Sequence, residues 1–227
     1  MLIENINLLP KPKPTIDIAA TQAGSLLSWN REKSYNSHNI RKGRKEMDLI
    51  TGIKERRSIR KFQDKKVPRE LIEEIVNISA YAPSWKNTQV ARYIIVDDKD
   101  KIKAMANEKC TYGFTGNIPA IENAAAVLLL TYVEGRSGYE RDGSYSTEKE
   151  DRWQMFDAGI AAQTFCLVAH EKGLGTVIQG YFDEEEIKKI VEIPEGQVLA
   201  ALIPLGYPDI DPAAPPRKDA SKLLTFV

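Results

Sequence analysis

Four stretches of this 227-residue chain combine residue types and spacings able to do chemistry. The first is Arg56-Arg57-Ser58-Ile59-Arg60-Lys61-Phe62. In an extended backbone Arg56, Ser58 and Arg60 share one face. Two guanidinium forks and a hydroxyl on one face suit a phosphate and its neighbouring hydroxyls. The competing reading is a solvated basic segment. The second is Ala82-Pro83-Ser84-Trp85-Lys86-Asn87-Thr88-Gln89, which offers small hydroxyl and amide groups to a flat polar ligand or simply ends a helix. The third, Leu174 to Tyr181, is a strand running into Gly180, where backbone can approach a ligand closely. Its alternative is an ordinary strand-to-helix turn. In the fourth, Pro216-Arg217-Lys218, two cations follow a proline-rich run. They can close over a phosphate or stay in solvent.

Regular elements must carry these stretches. Asp48 to about Arg56 reads as a short helix with Leu49, Ile50 and Ile53 on one face. Val67-Pro68 opens a second helix, with Leu71, Ile72, Ile75 and Val76 at helical period and Pro83 at its close. Strands follow at 93–96 and 125–133, with a helix over 98–107 between them. Residues 134–149, rich in Gly, Ser and Tyr, read as a loop. Glu150 to Glu171 predicts a long helix with Phe156, Ile160, Thr164, Leu167 and Val168 toward the core, and Gly173 terminates it. Leu174–Ile178 predicts a strand, and Asp183 with Glu186 a capping box for a helix through Val191. Val198–Leu205 is the last strand. The prolines between Pro208 and Pro216 keep the tail out of any central strand. The resulting class is α+β or mixed α/β, and no G-x-G-x-x-G follows a strand.

Composition removes several classes. Lys+Arg and Asp+Glu are 32 each, so no polyanion-binding surface or nucleic-acid partner is expected. The longest apolar stretch, Ala124–Leu130, has the length of a buried strand and falls short of the roughly 18 residues a bilayer span needs. Cys110 and Cys166 form no C-x-x-C pair, so no metal site is expected. Lone thiols fit a reducing, cytoplasmic compartment. Neither His38 nor His170 has a supporting hydrolase motif, and His170 reads as a helix-surface or interface residue. Residues 1–46 hold eight Lys/Arg against four Asp/Glu, a net of +4 that leaves −4 for the rest of a neutral chain. They read as a mobile arm or as sequence upstream of a start at Met47, the alternative being an arm that wraps a partner subunit. Residues 47–227 form the domain.

Taken together, the segments resemble the nitroreductase family. Its pattern is an early Arg-Arg-Ser-x-Arg-x-Phe, an Ala-Pro-Ser-x-x-Asn-x-Gln after the second helix, a Gly-Leu-Gly strand, and a late Gly-Tyr-Pro with downstream Arg/Lys. This chain has Arg56 to Phe62, Ala82 to Gln89, Gly173-Leu174-Gly175, Gly206-Tyr207-Pro208 and Arg217-Lys218, in that order. The resemblance covers about residues 48–220. It implies an α+β fold with a central mixed sheet flanked by helices. It also implies FMN at the interface of a homodimer whose C-terminal tails exchange. Arg56, Ser58 and Arg60 would hold the phosphate, ribityl chain and pyrimidine edge, with Arg57 acting mainly through its backbone. Pro83, Ser84, Trp85 and Asn87 would reach the flavin of the other subunit. Gln179 and Gly180 would lie near flavin N5, and Arg217 and Lys218 would bind phosphate. Arg60 and Gly180 are then the candidate catalytic positions.

The implied activity is NAD(P)H-driven reduction of a small acceptor such as a nitroaromatic or quinone. The alternatives are an FMN-dependent dehydrogenase, dehalogenase or flavin reductase on the same fold, and an FMN-binding carrier or sensor without turnover. Two departures touch the substrate site: Val90-Ala91 stands where the family often has Pro-Trp, and Trp85 stands where a small residue is common.

Overall fold

A computed structural model describes residues 47–227. The readings made for residues 1–46 lie outside the described residues. Helices α1 (Leu49–Glu55) and α2 (Arg69–Ser79) come first, then strand β1 (Ala91–Val96) and helices α3 (Lys99–Met105) and α4 (Ile118–Glu122). Strand β2 (Ala126–Val133), the long helix α5 (Arg152–Glu171), β3 (Gly175–Thr176), α6 (Glu184–Lys188) and β4 (Gln197–Gly206) complete the order.

The sheet runs β1-β2-β4-β3. Every ladder between these strands is antiparallel, which corrects the expected mixed sheet. The one parallel pairing among the described residues is an isolated bridge between Ser58 and Thr176. β2 is apolar from Ala126 to Leu130 and buried almost throughout because both faces of the sheet are covered. Leu128 and Leu130 face a cluster holding Ile72 and Ile75 of α2 and Phe165 and Cys166 of α5. Val127 and Leu129 face the opposite cluster, with Ile102, Met105, Ile121 and Ile187 of α3, α4 and α6. Alternation along one strand thus feeds two cores.

Other expectations shift for local reasons. α5 does not turn Phe156 and Ile160 inward: its buried stripe is Asp157, Ala158, Ala161, Ala162, Phe165, Cys166 and Ala169. Small side chains let the helix lie close to α2 and the sheet, and Met155 and Phe156 are left exposed. The strand expected over 174–178 pairs regularly only at Gly175–Thr176. α4, with proline in its first turn, was not foreseen. The α6 box is half made: the Asp183 carboxylate accepts from Glu186 N–H. The Glu186 carboxylate pairs instead with Lys189, and Asp183 N–H donates to Cys110 O. Among the described residues no helix is long and apolar enough to cross a membrane.

Candidate functional site

The arginine-bearing segment is clamped along the edge of the sheet. α5 ends in a turn with Gly173 at φ 78°, Gly173 N–H donating to His170 O at 2.8 Å and Leu174 N–H to Ala169 O at 2.8 Å. These are the paired bonds of a Schellman cap. The chain then reverses into Gly175, where a Cβ would stand 2.7 Å from Ile59. Glycine therefore admits Ile59 into the core and lets Ile59 N–H reach Thr176 O at 2.9 Å. Gly206 does the same for Phe62, whose ring would lie 3.1 Å from an added Cβ. Beyond it, Gln63 N–H donates to Tyr207 O (2.9 Å) and Asp209 N–H to Lys61 O (3.0 Å), with a Lys61–Asp209 ion pair at 2.9 Å. Ile59 and Phe62 are buried by this clamp.

Arg56, Arg57, Ser58 and Arg60 line a cavity of about 300 Å³. The tail, leaving β4 through Pro208, returns Pro212, Pro215 and Arg217 as the opposite wall. Arg217 is aimed by its own backbone, Nη1 donating to Pro215 O at 3.0 Å and Pro216 O at 3.3 Å. Among the described residues none of these four arginines stands in an ion pair. Uncompensated guanidinium groups around one cavity attract an anion, and the hydroxyl of Ser58 suits a phosphate ester. Arg57 also closes α1, its Nη1 donating to Lys54 O (2.6 Å) and Arg56 O (3.0 Å). Its Nε is buried without a hydrogen-bond partner, an orphaned donor on the cavity wall. Lys218 is exposed and outside the lining. His170 is half-buried, and its Nε2 finds no partner. Burial, and then the charge of Arg56, hold its pKa below the usual histidine value.

The second predicted loop does not line this cavity. Pro83 and Ser84 border a separate space of about 190 Å³ together with Arg92 and Asp157. Trp85 and Asn87 line neither. Trp85 turns its ring onto Trp153, with centroids 4.6 Å apart. Asn87 is exposed. Three residues that are not glycine, Lys86, Asn87 and Gln89, sit at φ 45°, 55° and 48°, a sparsely populated region for such side chains.

Gln179 is buried, exchanging backbone hydrogen bonds with Leu202 at 2.8 and 3.1 Å. Its Nε2 donates to Asn117 O at 3.3 Å, and its Oε1 is unpartnered. Gly180 follows with open space where a Cβ would stand. Beside it Tyr181 meets Phe114 at 5.1 Å, both rings exposed. Sequence reasoning missed this pair, which unites distant segments, and also missed Asp157. A lone carboxylate beside the Ala158/Ala161/Ala162 stripe was the available signal for the latter.

Helices cover both faces of the sheet, and the arginine cavity without a counter-charge lies along its edge. The chain belongs to the nitroreductase family, whose profile matches residues 53–207. A relative from Methanothermobacter thermautotrophicus, named for NADH dehydrogenase or NAD(P)H nitroreductase activity, is 32% identical over 170 residues, 73% of this chain and 80% of its own. A crystal structure of a nitroreductase family protein from Clostridium novyi NT is similar at TM-score 0.61 and 28% identity, covering 72% of this chain and 86% of that one. The fold also matches a crystal structure of an iodotyrosine deiodinase bound to FMN and 3-iodo-L-tyrosine. That match has a TM-score of 0.64 at 24% identity and covers 76% of this chain and 96% of that one.

Proposed function

We propose that this chain is an FMN-dependent oxidoreductase, reduced by NAD(P)H, that passes electrons to a small acceptor such as a nitroaromatic or quinone. The observation that carries it is the convergence of Arg56, Ser58, Arg60 and Arg217 on one cavity without a counter-charge. Arg56, Ser58 and Arg217 take the phosphate, with Lys218 adding charge from the tail. Arg60 lies along the same wall and holds the negative charge that builds on the pyrimidine edge during reduction. FMN, when bound in this cavity, would supply the redox chemistry. Gln179, its backbone bonded to Leu202, would fix the chain near flavin N5, and Gly180 leaves room there for close approach. No side-chain general base is needed.

The site is composite in this reading, and the enzyme is a homodimer. Leu49, Ile50, Met155 and Phe156 are exposed on a single chain, as are Leu223, Leu224 and Phe226 in the tail. Together they support an apolar interface, with Pro83, Ser84, Trp85 and Asn87 walling the partner's flavin and the tail crossing over. The two free, buried thiols suit the reducing cytoplasm. Anaerobic addition of NADH or NADPH to the flavin-loaded chain should bleach the flavin absorbance, and a nitroaromatic or quinone should restore it. Flavin that binds but never bleaches would make the protein a carrier or sensor. The likeness to the iodotyrosine deiodinase fold supports a second reading, reductive dehalogenation. Halide release from a halogenated phenol, measured beside quinone turnover, separates the two.

A further inference from the structure

Asp157 has no part in the phosphate cavity, yet it is a carboxylate only 3% exposed. Both of its oxygens accept from Trp85 N–H, at 3.1 and 3.0 Å. Oδ2 also accepts from the Ser137 hydroxyl at 2.5 Å. Ser137, itself fully buried, shares a further hydrogen bond with Thr88 Oγ1 at 2.7 Å. One carboxylate on α5 therefore grips both ends of the Trp85–Thr88 turn, one directly and one through Ser137. Between those ends lie Lys86 and Asn87, both at positive φ. A backbone held in that region persists only where its surroundings over-determine it.

The same contacts reach the 134–149 segment, which the resemblance left unexplained. Lys86 Nζ pairs with Glu140 at 2.7 Å. Trp153, its ring tilted against that of Trp85, donates from Nε1 to Thr147 Oγ1 at 2.8 Å. The turn and the segment thus share anchors at both ends of the segment, with the buried carboxylate at the centre. We infer that Asp157 is a positioning residue that locks the Trp85–Thr88 turn to the 134–149 segment, so that this segment sets the size of acceptor the redox site takes. The inference rests on the reading that the Ser84–Gln89 loop walls the flavin site.

The test is Asp157→Asn in the full-length, flavin-loaded protein. An amide keeps the shape but presents one acceptor where the carboxylate presents two. Amide hydrogen exchange should rise together in 84–89 and in 134–149. Flavin content should stay as in the parent. The ratio of kcat/KM for a bulky naphthoquinone over benzoquinone should change by about tenfold or more, the scale of a misplaced positioning group. Ser137→Ala, which removes only the bridging hydroxyl, should shift both readouts the same way and decides the matter if the Asn variant fails to fold. Loosening of 84–89 alone, with 134–149 unchanged, would overturn the coupling. An unchanged quinone ratio with both loops loosened would overturn the specificity role. Should the parent bind no flavin, the functional reading fails, while exchange on the flavin-free chain still decides whether the two loops are locked.

Discussion

The arginine cavity and the Trp85–Thr88 turn are both loop-built, but they are held by different means. Residues 56–63 are pinned by backbone bonds to Thr176 and Tyr207, and by two glycines that let Ile59 and Phe62 approach. The turn is pinned by side chains: Asp157, Ser137, the Trp85–Trp153 ring contact and the Lys86–Glu140 pair. Backbone clamping fixes a site in one geometry as long as the glycines at 175 and 206 admit Ile59 and Phe62. Side-chain pinning leaves geometry adjustable by substitution. In the proposed function the first would suit a constant cofactor, and the second a wall that can be adjusted to the acceptor.

The comparison breaks most visibly at Gly175. A side chain there meets Ile59 at 2.7 Å, so Gly175→Val should displace the clamp. Overpacking costs about 1–3 kcal/mol of stability, and the displaced Ser58 and Arg56 should lower FMN affinity by at least about two decades. A thermal melt with an FMN titration reads both. Unchanged affinity would show that the clamp does not position the phosphate site. Next in size come Arg56→Ala and Arg217→Ala. Each removes a charged donor worth roughly 1.5–3 kcal/mol, which is about one to two decades in FMN affinity. Isothermal titration checks them. If both bind as the parent does, the phosphate lies elsewhere.

A smaller effect is expected from His170. Its folded pKa lies below the ordinary value of 6.5, through burial and then Arg56. Between 6.5 and the lowered folded value, the unfolded chain binds a proton that the folded chain refuses. Stability should therefore fall as pH drops below 6.5. A His170→Gln variant should show a shallower fall in Tm from pH 7.5 to 5.5, and parallel curves would contradict it. The smallest effect concerns residues 1–46, which hold none of the matched pattern. A chain starting at Met47 should keep its flavin and still sediment as a dimer. Loss of either would favour an arm that wraps the partner.

How much of this was legible follows the same division. Arg56, Ser58 and Arg60 stand out by charge and spacing and Gly173 as a helix end, while Gly175, Gly206 and Arg217 are legible only as members of the ordered family pattern. Each signal is ambiguous alone, and their order along the chain is what made the cavity readable before its shape was known. The turn's supports were not. α5 carries apolar residues on both sides, and side-chain size pointed to Phe156 and Ile160 as the core. Close packing on the sheet favoured the alanine stripe instead, and that rotation is what buries Asp157. Ser137 sits in a segment with no period at all. The antiparallel sheet was missed for a related reason: strand composition records burial on two faces and says little about direction.

The central claim is that the arginine cavity recognises a phosphate carried by a flavin. Flavin fluorescence titration of the flavin-free protein with FMN and with riboflavin, which lacks only the phosphate, tests it directly. The parent should bind FMN by at least about two decades more tightly than riboflavin, as two or more charged hydrogen bonds require. In the Arg56→Ala/Arg217→Ala variant that preference should collapse while riboflavin affinity holds. Equal affinity of the parent for FMN and riboflavin, or a preference that survives loss of both arginines, would contradict the account.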